Sequence, residues 1–511
     1  MKILDCTLRD GGYYTNWDFD KNLVDTYIKA CNDLPIDYLE VGYRSIPLDG
    51  YYGEYFYLPV YVMQRLKVQT TKKLVIILNE KDIRPDHLQE LLSPCIGLID
   101  MVRLAIDPKQ FARALELAEA VKKMGFEVGF NVMYMSKWKG QRDFLELLPK
   151  VEGIADYFYM VDSYGGVYPQ DVKNTIQLVR SYIPDVPLGF HGHNNLELAL
   201  INTLTAIDEG CKIVDATITG MGRGAGNVKT ELLLTALNAQ GKISVDFNPL
   251  SKVVDGVTTL QKNYEWGTNL PYMVSGAHSL PQKDVMDWVG KRYYSFNSII
   301  RALQNQASGV SDNASLPPWE NNINAESVLI VGGGPSALTN KEAIRQLLNL
   351  KPNMVVVHAS SKNAFEFNGI SNRQLFCLVG NEGHRMEEVF DGLLPEDILC
   401  VLPPSPRKMG TYIPSPIIDK SVELDKNTFS QKYIDSHCFI ALQVAKNLKA
   451  QNVFLVGFDG YSNSIMDSKA QELYSENSYL FNEFEEVTGI KILSLVSTSY
   501  PVKTTSIFSL L

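Results

Sequence analysis

The chain has 511 residues, more than one ordinary hydrophobic core accommodates, so two or three domains are expected. Its composition, 45% hydrophobic and 21% charged, is that of a globular protein. A net charge of −10 argues against a nucleic-acid binder, whose affinity rests on neutralising phosphates, and against attachment to anionic membranes.

The first strand-like run, 2–8, stops on Arg9-Asp10-Gly11-Gly12. A cation, a carboxylate and two glycines at a strand tip put charge where the backbone is free to turn. Further strand-like runs follow at 37–43, 73–79, 98–105, 126–133, 156–162, 187–191 and 212–218. Between them lie amphipathic stretches such as 108–124, where Phe111, Ala112, Leu115, Leu117, Ala118 and Val121 keep helical spacing. Eight strands, each with its helix, over about 240 residues match a (β/α)8 barrel in size and count. An open doubly wound sheet is the alternative. Arg9, Asp10, Glu40, Arg103, Asn131, Asp162, His191 and His193 all fall near strand C-termini, where such a barrel carries its site.

The seventh run ends in Phe190-His-Gly-His-Asn-Asn195. Residues i and i+2 of a strand project to one side, so His191 and His193 can face one point. Two imidazoles and the Asp10 carboxylate form a donor set that holds a divalent metal with coordination positions left open. Those three side chains are therefore expected to meet around a cation. Residues 220–227, Gly-Met-Gly-Arg-Gly-Ala-Gly-Asn, form a last glycine-rich loop.

Residues 245–310 read as a helical extension at the barrel mouth, with Tyr264, Trp266, Tyr272, Trp288, Tyr293, Tyr294 and Phe296 among its aromatics. A polar, turn-rich linker follows at 311–325. A second α/β unit, 326–511, opens on a strand, the turn Gly332-Gly333-Gly334-Pro335-Ser336 and a helix over 340–350. Strands are expected at 354–358, 375–379, 398–402 and 453–456, the last leading into Gly457-Phe-Asp-Gly-Tyr461. Backbone N–H groups of the glycine turn can cradle a phosphate, although a tight strand-to-helix turn explains it equally well. The turn is neither GxGxxG nor a P-loop. His358, Asp459 and Tyr461 lie at strand ends of this unit.

Taken in order, 4–12 (LDCTLRDGG), 39–43 (LEVGY), 190–195 (FHGHNN) and 220–227 (GMGRGAGN) resemble the metal-dependent lyases and condensing enzymes built on a TIM barrel. That superfamily includes 4-hydroxy-2-oxovalerate aldolase, hydroxymethylglutaryl-CoA lyase and the isopropylmalate synthases. The resemblance spans roughly 1–300. It implies Asp10, His191 and His193 as ligands of a divalent cation, Asn227 as a further ligand, and Arg9 as the group that stabilises an enolate. Manganese is placed first, with magnesium, zinc or cobalt as alternatives. The aldolases carry a His three residues after the metal Asp as base; here Tyr13 stands there, and an unperturbed phenol titrates near ~10. The glycine-rich loop lacks the catalytic Cys of the lyase branch, which argues against hydroxymethylglutaryl-CoA cleavage. Tyr272, six residues before His278, resembles the aldolases' active-site Tyr. Glu40, Arg103 and Asp162 are candidate substrate contacts; an ion pair for the first two, and a loop-holding role for Asp162, are equally open.

The implied activity is a carbon–carbon lyase that cleaves or forms a 4-hydroxy-2-oxo acid through a pyruvate enolate, with a 2-oxo acid and an aldehyde as partners. A Claisen-type acyltransferase using acetyl-CoA and a 2-oxo acid is the alternative. The second unit resembles family-42 sialyltransferase and hydroxymethylpterin pyrophosphokinase-like domains, which share the GxGPS turn and a late GxD segment. The resemblance implies a Rossmann-like domain with nucleotide or phosphate contacts at Gly332, Gly333, Gly334, Pro335 and Ser336. No apolar run approaches the ~18 residues of a membrane span, and Met1 leads into a strand without signal-peptide features. Seven singly spaced cysteines point to reduced thiols in the cytoplasm. Neither nucleic acid nor membrane is expected as a partner, and self-association is left open.

Overall fold

The structure, a computed structural model, describes residues 1–291, 296–309, 315–320, 324–380, 382–395, 398–405, 407, 412–425, 428–460 and 468–511. It divides into two compact units, Met1–Met286 and Asp287–Leu511. The expected linker at 311–325 falls largely outside the described residues, as do Tyr293, Tyr294 and Tyr461. Among the described residues no helix is long and apolar enough to cross a membrane.

In the first unit β1 (Lys2–Asp5), β2 (Tyr38–Tyr43), β3 (Lys73–Asn79), β4 (Met101–Ile106), β5 (Glu127–Val132), β6 (Tyr157–Asp162), β7 (Leu188–Gly192) and β8 (Ile213–Ala216) close in sequence order into a barrel. Every neighbouring pair is parallel, β8 returning to β1 through Val214 opposite Ile3. The outward-facing Val, Ile and Leu of the strands and the apolar stripes of the helices form one continuous core.

The barrel interior changes chemistry along its axis. At the N-terminal end Lys2 Nζ donates to the hydroxyls of Tyr157 (2.9 Å) and Tyr38 (3.2 Å), and Tyr38 donates to Glu127 (2.9 Å). Above lies an apolar group that includes Leu4, Val75, Met101 and Ile213. Above that, Arg103 lies over the Tyr159 ring at 4.0 Å. Two glycines make room for this pair: a Cβ at Gly129 would meet Arg103 Cγ at 2.8 Å, and one at Gly189 would meet the Tyr159 ring at 2.5 Å.

The first strand ends earlier than its sequence suggests. Residues Thr7–Thr15 form helix α1, so Arg9-Asp10-Gly11-Gly12 sits in its first turns rather than in a flexible turn. Asp10 N–H already bonds the Cys6 carbonyl at 2.9 Å. The glycines serve close packing instead: a Cβ on Gly12 would fall 2.1 Å from the Trp17 ring, and one on Gly11 2.6 Å from Met221 Sδ. Beyond the barrel, helices Phe247–Tyr264 and Leu270–Ala277 follow, and Trp266 Nε1 donates to the Thr219 carbonyl at 3.2 Å. The division between the units falls within the next helix, Gln282–Lys291.

The second unit is an eight-stranded parallel sheet of β9 (Ser327–Val331), β10 (Val355–His358), β11 (Gln374–Cys377), β12 (Ile398–Leu402), β13 (Ser421–Glu423), β14 (Asn452–Val456), β15 (Lys491–Ser494) and β16 (Lys503–Thr504). Its order, β13-β12-β11-β10-β9-β14-β15-β16, reverses between β9 and β14. Crevices outside strand C-termini at such a reversal are where open α/β sheets take ligands.

Because Trp17 presses on Gly12, Gly12→Ala must displace an indole ring and destabilise the first unit by about 1–3 kcal/mol. A clear drop in its thermal midpoint by circular dichroism is expected; an unchanged midpoint would refute the close-packing role.

Candidate functional site

Asp10 comes from α1, His191 from β7, His193 from the residue just past it, and Asn227 from the end of the glycine-rich loop. The loop is tied to β7 by a bridge between His193 and Asn227 and by Val228 N–H on the Gly192 carbonyl (3.3 Å). Asn227 Nδ2 donates to Asp10 Oδ2 at 2.6 Å, and His191 Nε2 lies 3.7 Å from the same oxygen. The two imidazoles are 5.0 Å apart, centroid to centroid. The side chains that the sequence singled out thus converge, all of them buried or nearly so.

The partners of each imidazole decide its proton. His191 Nδ1 meets Asp215 Oδ2 at 2.7 Å and His193 Nδ1 meets the Asp162 carbonyl at 2.7 Å. Both partners are acceptors, so both Nδ1 atoms carry a hydrogen, and Nε2 is the atom each ring can offer to a metal. Burial, reinforced by His191, pushes His193 down to about 3, which keeps it neutral. Burial pushes Asp10 up, but Arg9, His191, His193 and the Asn227 amide outweigh it and hold the carboxyl at about 2. One carboxylate and two imidazole Nε2 atoms are a donor set that suits a divalent ion. Asn227 Oδ1 is buried without a hydrogen-bond partner among the described residues, which leaves it available as a fourth donor.

Beneath these donors the charges close into a ring. Arg9 pairs with Asp10 and, through Nε, with Glu40 at 2.7 Å. Arg103 pairs with Glu40 at 3.2 Å and with Asp215 at 2.6 Å, and Asp215 holds His191. Three carboxylates therefore face two guanidinium groups, and the surplus negative charge favours a cation. Glu40 and Arg103 are fully enclosed; Glu40 Oε2 serves both guanidinium groups, and Arg103 Nη2 also donates to Asn131. Cys6 Sγ, His191 and Asp215 also bring donor atoms within 4.8 Å of one another. Burial and Asp10 push that thiol well up, so Cys6 stays protonated and reaches Asp10 as a weak donor at 3.6 Å. Asp215 is already committed to Arg103 and His191.

Around the rim, Tyr13 and Tyr43 share a hydroxyl contact at 3.1 Å, and the Arg223 guanidinium lies 4.2 Å from the Tyr13 ring centre. Tyr14 donates to the Gly224 carbonyl at 3.0 Å, and the Tyr272 ring packs against Gly224. Asp162 accepts from Gly166 N–H (3.2 Å) and Val167 N–H (3.3 Å), so its carboxylate shapes the turn after β6. Burial pushes that carboxyl up to about 6.

In the second unit Gly332, Gly333, Gly334 and Pro335 line a cavity of about 810 Å³ at the reversal between β9 and β14. Ser336 does not line it: its hydroxyl accepts Gly457 N–H (3.1 Å) and its own N–H donates to Asp459 (3.2 Å). His358 is buried against Phe376 with Nε2 on Gln374 at 2.8 Å, a core position.

Asp215 and Arg223 escaped sequence reasoning. Asp215 left one signal, a carboxylate amid Ile213, Val214 and Ala216, where an apolar strand tolerates charge only with a buried partner. Arg223 left another, as the one charged residue of the loop 220–227.

The HMGL-like family model matches residues 99–257. The chain is 33% identical over 275 residues to a 4-hydroxy-2-oxovalerate aldolase of Pelotomaculum thermopropionicum, covering 51% of this chain and 76% of the relative. It is 28% identical over 254 residues to an oxaloacetate decarboxylase of Mycobacterium tuberculosis, covering 47% and 71%. The crystal structure of the N-terminal domain of a Bacteroides vulgatus protein described as an aldolase matches with a TM-score of 0.56 and 60% identity. It covers 59% of this chain and 100% of that domain.

Because Asp215 fixes the His191 tautomer, Asp215→Asn is expected to weaken divalent-cation affinity about 10–100-fold. Calorimetric titration of manganese into wild type and variant measures it. Equal affinities would remove Asp215 from the site.

Proposed function

The chain belongs to the HMGL-like family of TIM-barrel aldolases and lyases, and on that premise we propose that it cleaves and forms 4-hydroxy-2-oxo acids through a pyruvate enolate. The reading is carried by the convergence of one carboxylate, two Nδ1-anchored imidazoles and the orphaned Asn227 amide oxygen. Bound there, a divalent cation, manganese in our reading, supplies Lewis acidity toward the C2 carbonyl and carboxylate of a 2-oxo acid.

The chain's own residues do the rest. Arg9 Nη2 is buried and without a partner among the described residues, whereas Nη1 and Nε are held by Asp10 and Glu40. That leaves one fixed donor for the oxygen on which enolate charge develops. Tyr13 takes the proton from the 4-hydroxyl only as a phenolate, whose charge the Arg223 guanidinium, 4.2 Å from its ring centre, would answer; as a neutral phenol hydrogen-bonded to Tyr43 it only packs the rim. The C3–C4 bond then breaks, the aldehyde leaves, and its electron pair passes into the enolate. Tyr272, placed against Gly224, orients the substrate or returns the proton to C3. Glu40 and Arg103 act by holding Arg9 and Asp215, and Asp162 by holding His193. In the second unit the cavity beside Gly332–Pro335 takes a nucleotide or another phosphorylated ligand.

Purified protein with manganese is expected to release pyruvate from 4-hydroxy-2-oxovalerate in a lactate-dehydrogenase-coupled assay, and a chelator to stop it. Thiol release from acetyl-CoA with a 2-oxo acid, and no pyruvate, would overturn the aldolase reading. Loss of the enolate donor in Arg9→Ala should lower kcat by about 100–1,000-fold. A value near wild type would remove Arg9 from the chemistry.

A further inference from the structure

The turn after β9 divides the cavity of the second unit into two chemically different sides. A Cβ on Gly334 would fall 1.9 Å from Asp459 Oδ2, and Asp459 already accepts the Ser336 N–H at 3.2 Å. A carboxylate therefore occupies the place where a glycine turn would receive a phosphate, and repels another anion there. One residue earlier the surroundings are basic. A Cβ on Gly333 would meet Ser360 Oγ at 3.2 Å and Lys362 Cδ at 3.7 Å. Arg385 Nη1 reaches Ser360 Oγ at 3.5 Å.

The basic side is built on a buried acid. Glu382 is fully enclosed, and Oε2 accepts from Ser361 N–H (2.8 Å) and Ser361 Oγ (2.7 Å). Its Oε1 pairs with Arg385 Nη1 and lies 3.3 Å from His437 Nε2. Burial pushes this carboxyl up, but His437, Arg385 and the Ser361 N–H hold it at about 2. Arg385 spends only Nη1 on these contacts, and among the described residues the Lys362 ammonium meets no carboxylate. Two cations, Lys362 and Arg385, thus stand beside this one buried carboxylate, while Asp459 and Glu476 are the other acids lining the cavity.

We propose that the cavity binds a phosphorylated polyhydroxy compound, its phosphate held by Lys362, Arg385 and Ser360 and its hydroxyls donated to Asp459. This rests on the reading of the cavity as a phosphate-ligand site, and it places the anion away from the Gly334-Pro335-Ser336 segment. The cavity, about 810 Å³, has room for a sugar phosphate. The acidic side answers hydroxyl donors and the basic side answers the anion, so both ends contribute to orientation.

Calorimetric titration of the full chain at low salt, with glucose 6-phosphate, inorganic phosphate, adenosine monophosphate and glucose as probes, tests this. Lys362 is exposed and Lys362→Met leaves the unfolding profile as in wild type; it is expected to weaken both glucose 6-phosphate and inorganic phosphate about tenfold or more. Asp459→Asn is expected to weaken glucose 6-phosphate and leave inorganic phosphate unchanged. If instead Lys362→Met changes nothing and Asp459→Asn tightens inorganic phosphate, the glycine turn is the cradle and the proposed wall is wrong, while the parent reading survives. If no phosphorylated probe binds at millimolar concentration, the parent reading fails and takes the proposal with it.

Discussion

The first unit depends on a buried ring of charge, Asp10–Arg9–Glu40–Arg103–Asp215–His191, that closes on itself where His191 Nε2 comes 3.7 Å from Asp10. An isolated charge at this depth would carry a penalty of several kcal/mol. Each member is therefore paired with a neighbour on either side. The ring draws on α1, β2, β4, β7 and β8, so assembling it requires the barrel to be closed. A closed barrel in turn brings Asp10 and His191 to within 3.7 Å of each other.

The ring also separates roles that the sequence presents as equals. Polar residues near strand C-termini all look like site residues, yet depth sorts them. Arg103 sits one layer below His191, enclosed between Glu40, Asp215 and the Tyr159 ring, and acts by fixing others. Arg9 bridges the layers, because two of its nitrogens serve the ring and the third has no partner among the described residues. Asp162 divides itself in the same way: its carboxylate shapes a turn while its carbonyl sets the tautomer of His193.

Much of this was legible in the sequence, because period-two spacing and apolar runs report directly on parallel strands. All eight barrel strands and five of the eight in the second sheet lie where those runs fall. The strands that escaped, Ser421–Glu423, Lys491–Ser494 and Lys503–Thr504, carry at most two apolar residues each, so no apolar run marks them. The HxH pair, Asp10 and Asn227 were visible as residue types at motif spacing. Asp215 and Arg223 were not, since a lone charge gives no hint of what lies across the barrel. Gly11 and Gly12 were visible but read for the wrong property: flexibility was expected, and the missing side chain is what Trp17 and Met221 exploit.

The same physics governs the second unit. Glu382 is as enclosed as Glu40, and like it holds basic partners, here Arg385 and His437, beside a strand-end opening. In both places a buried carboxylate pairs with a guanidinium that has nitrogens to spare. In both, glycines supply close approach: Gly129 admits Arg103, and Gly334 admits the Asp459 carboxylate. A glycine turn is therefore not by itself a phosphate cradle, because the space that glycine frees is taken by whichever group packs into it. At Gly334 that group is an acid, whereas one residue earlier, beside Gly333, it is Ser360 and the Lys362 stem.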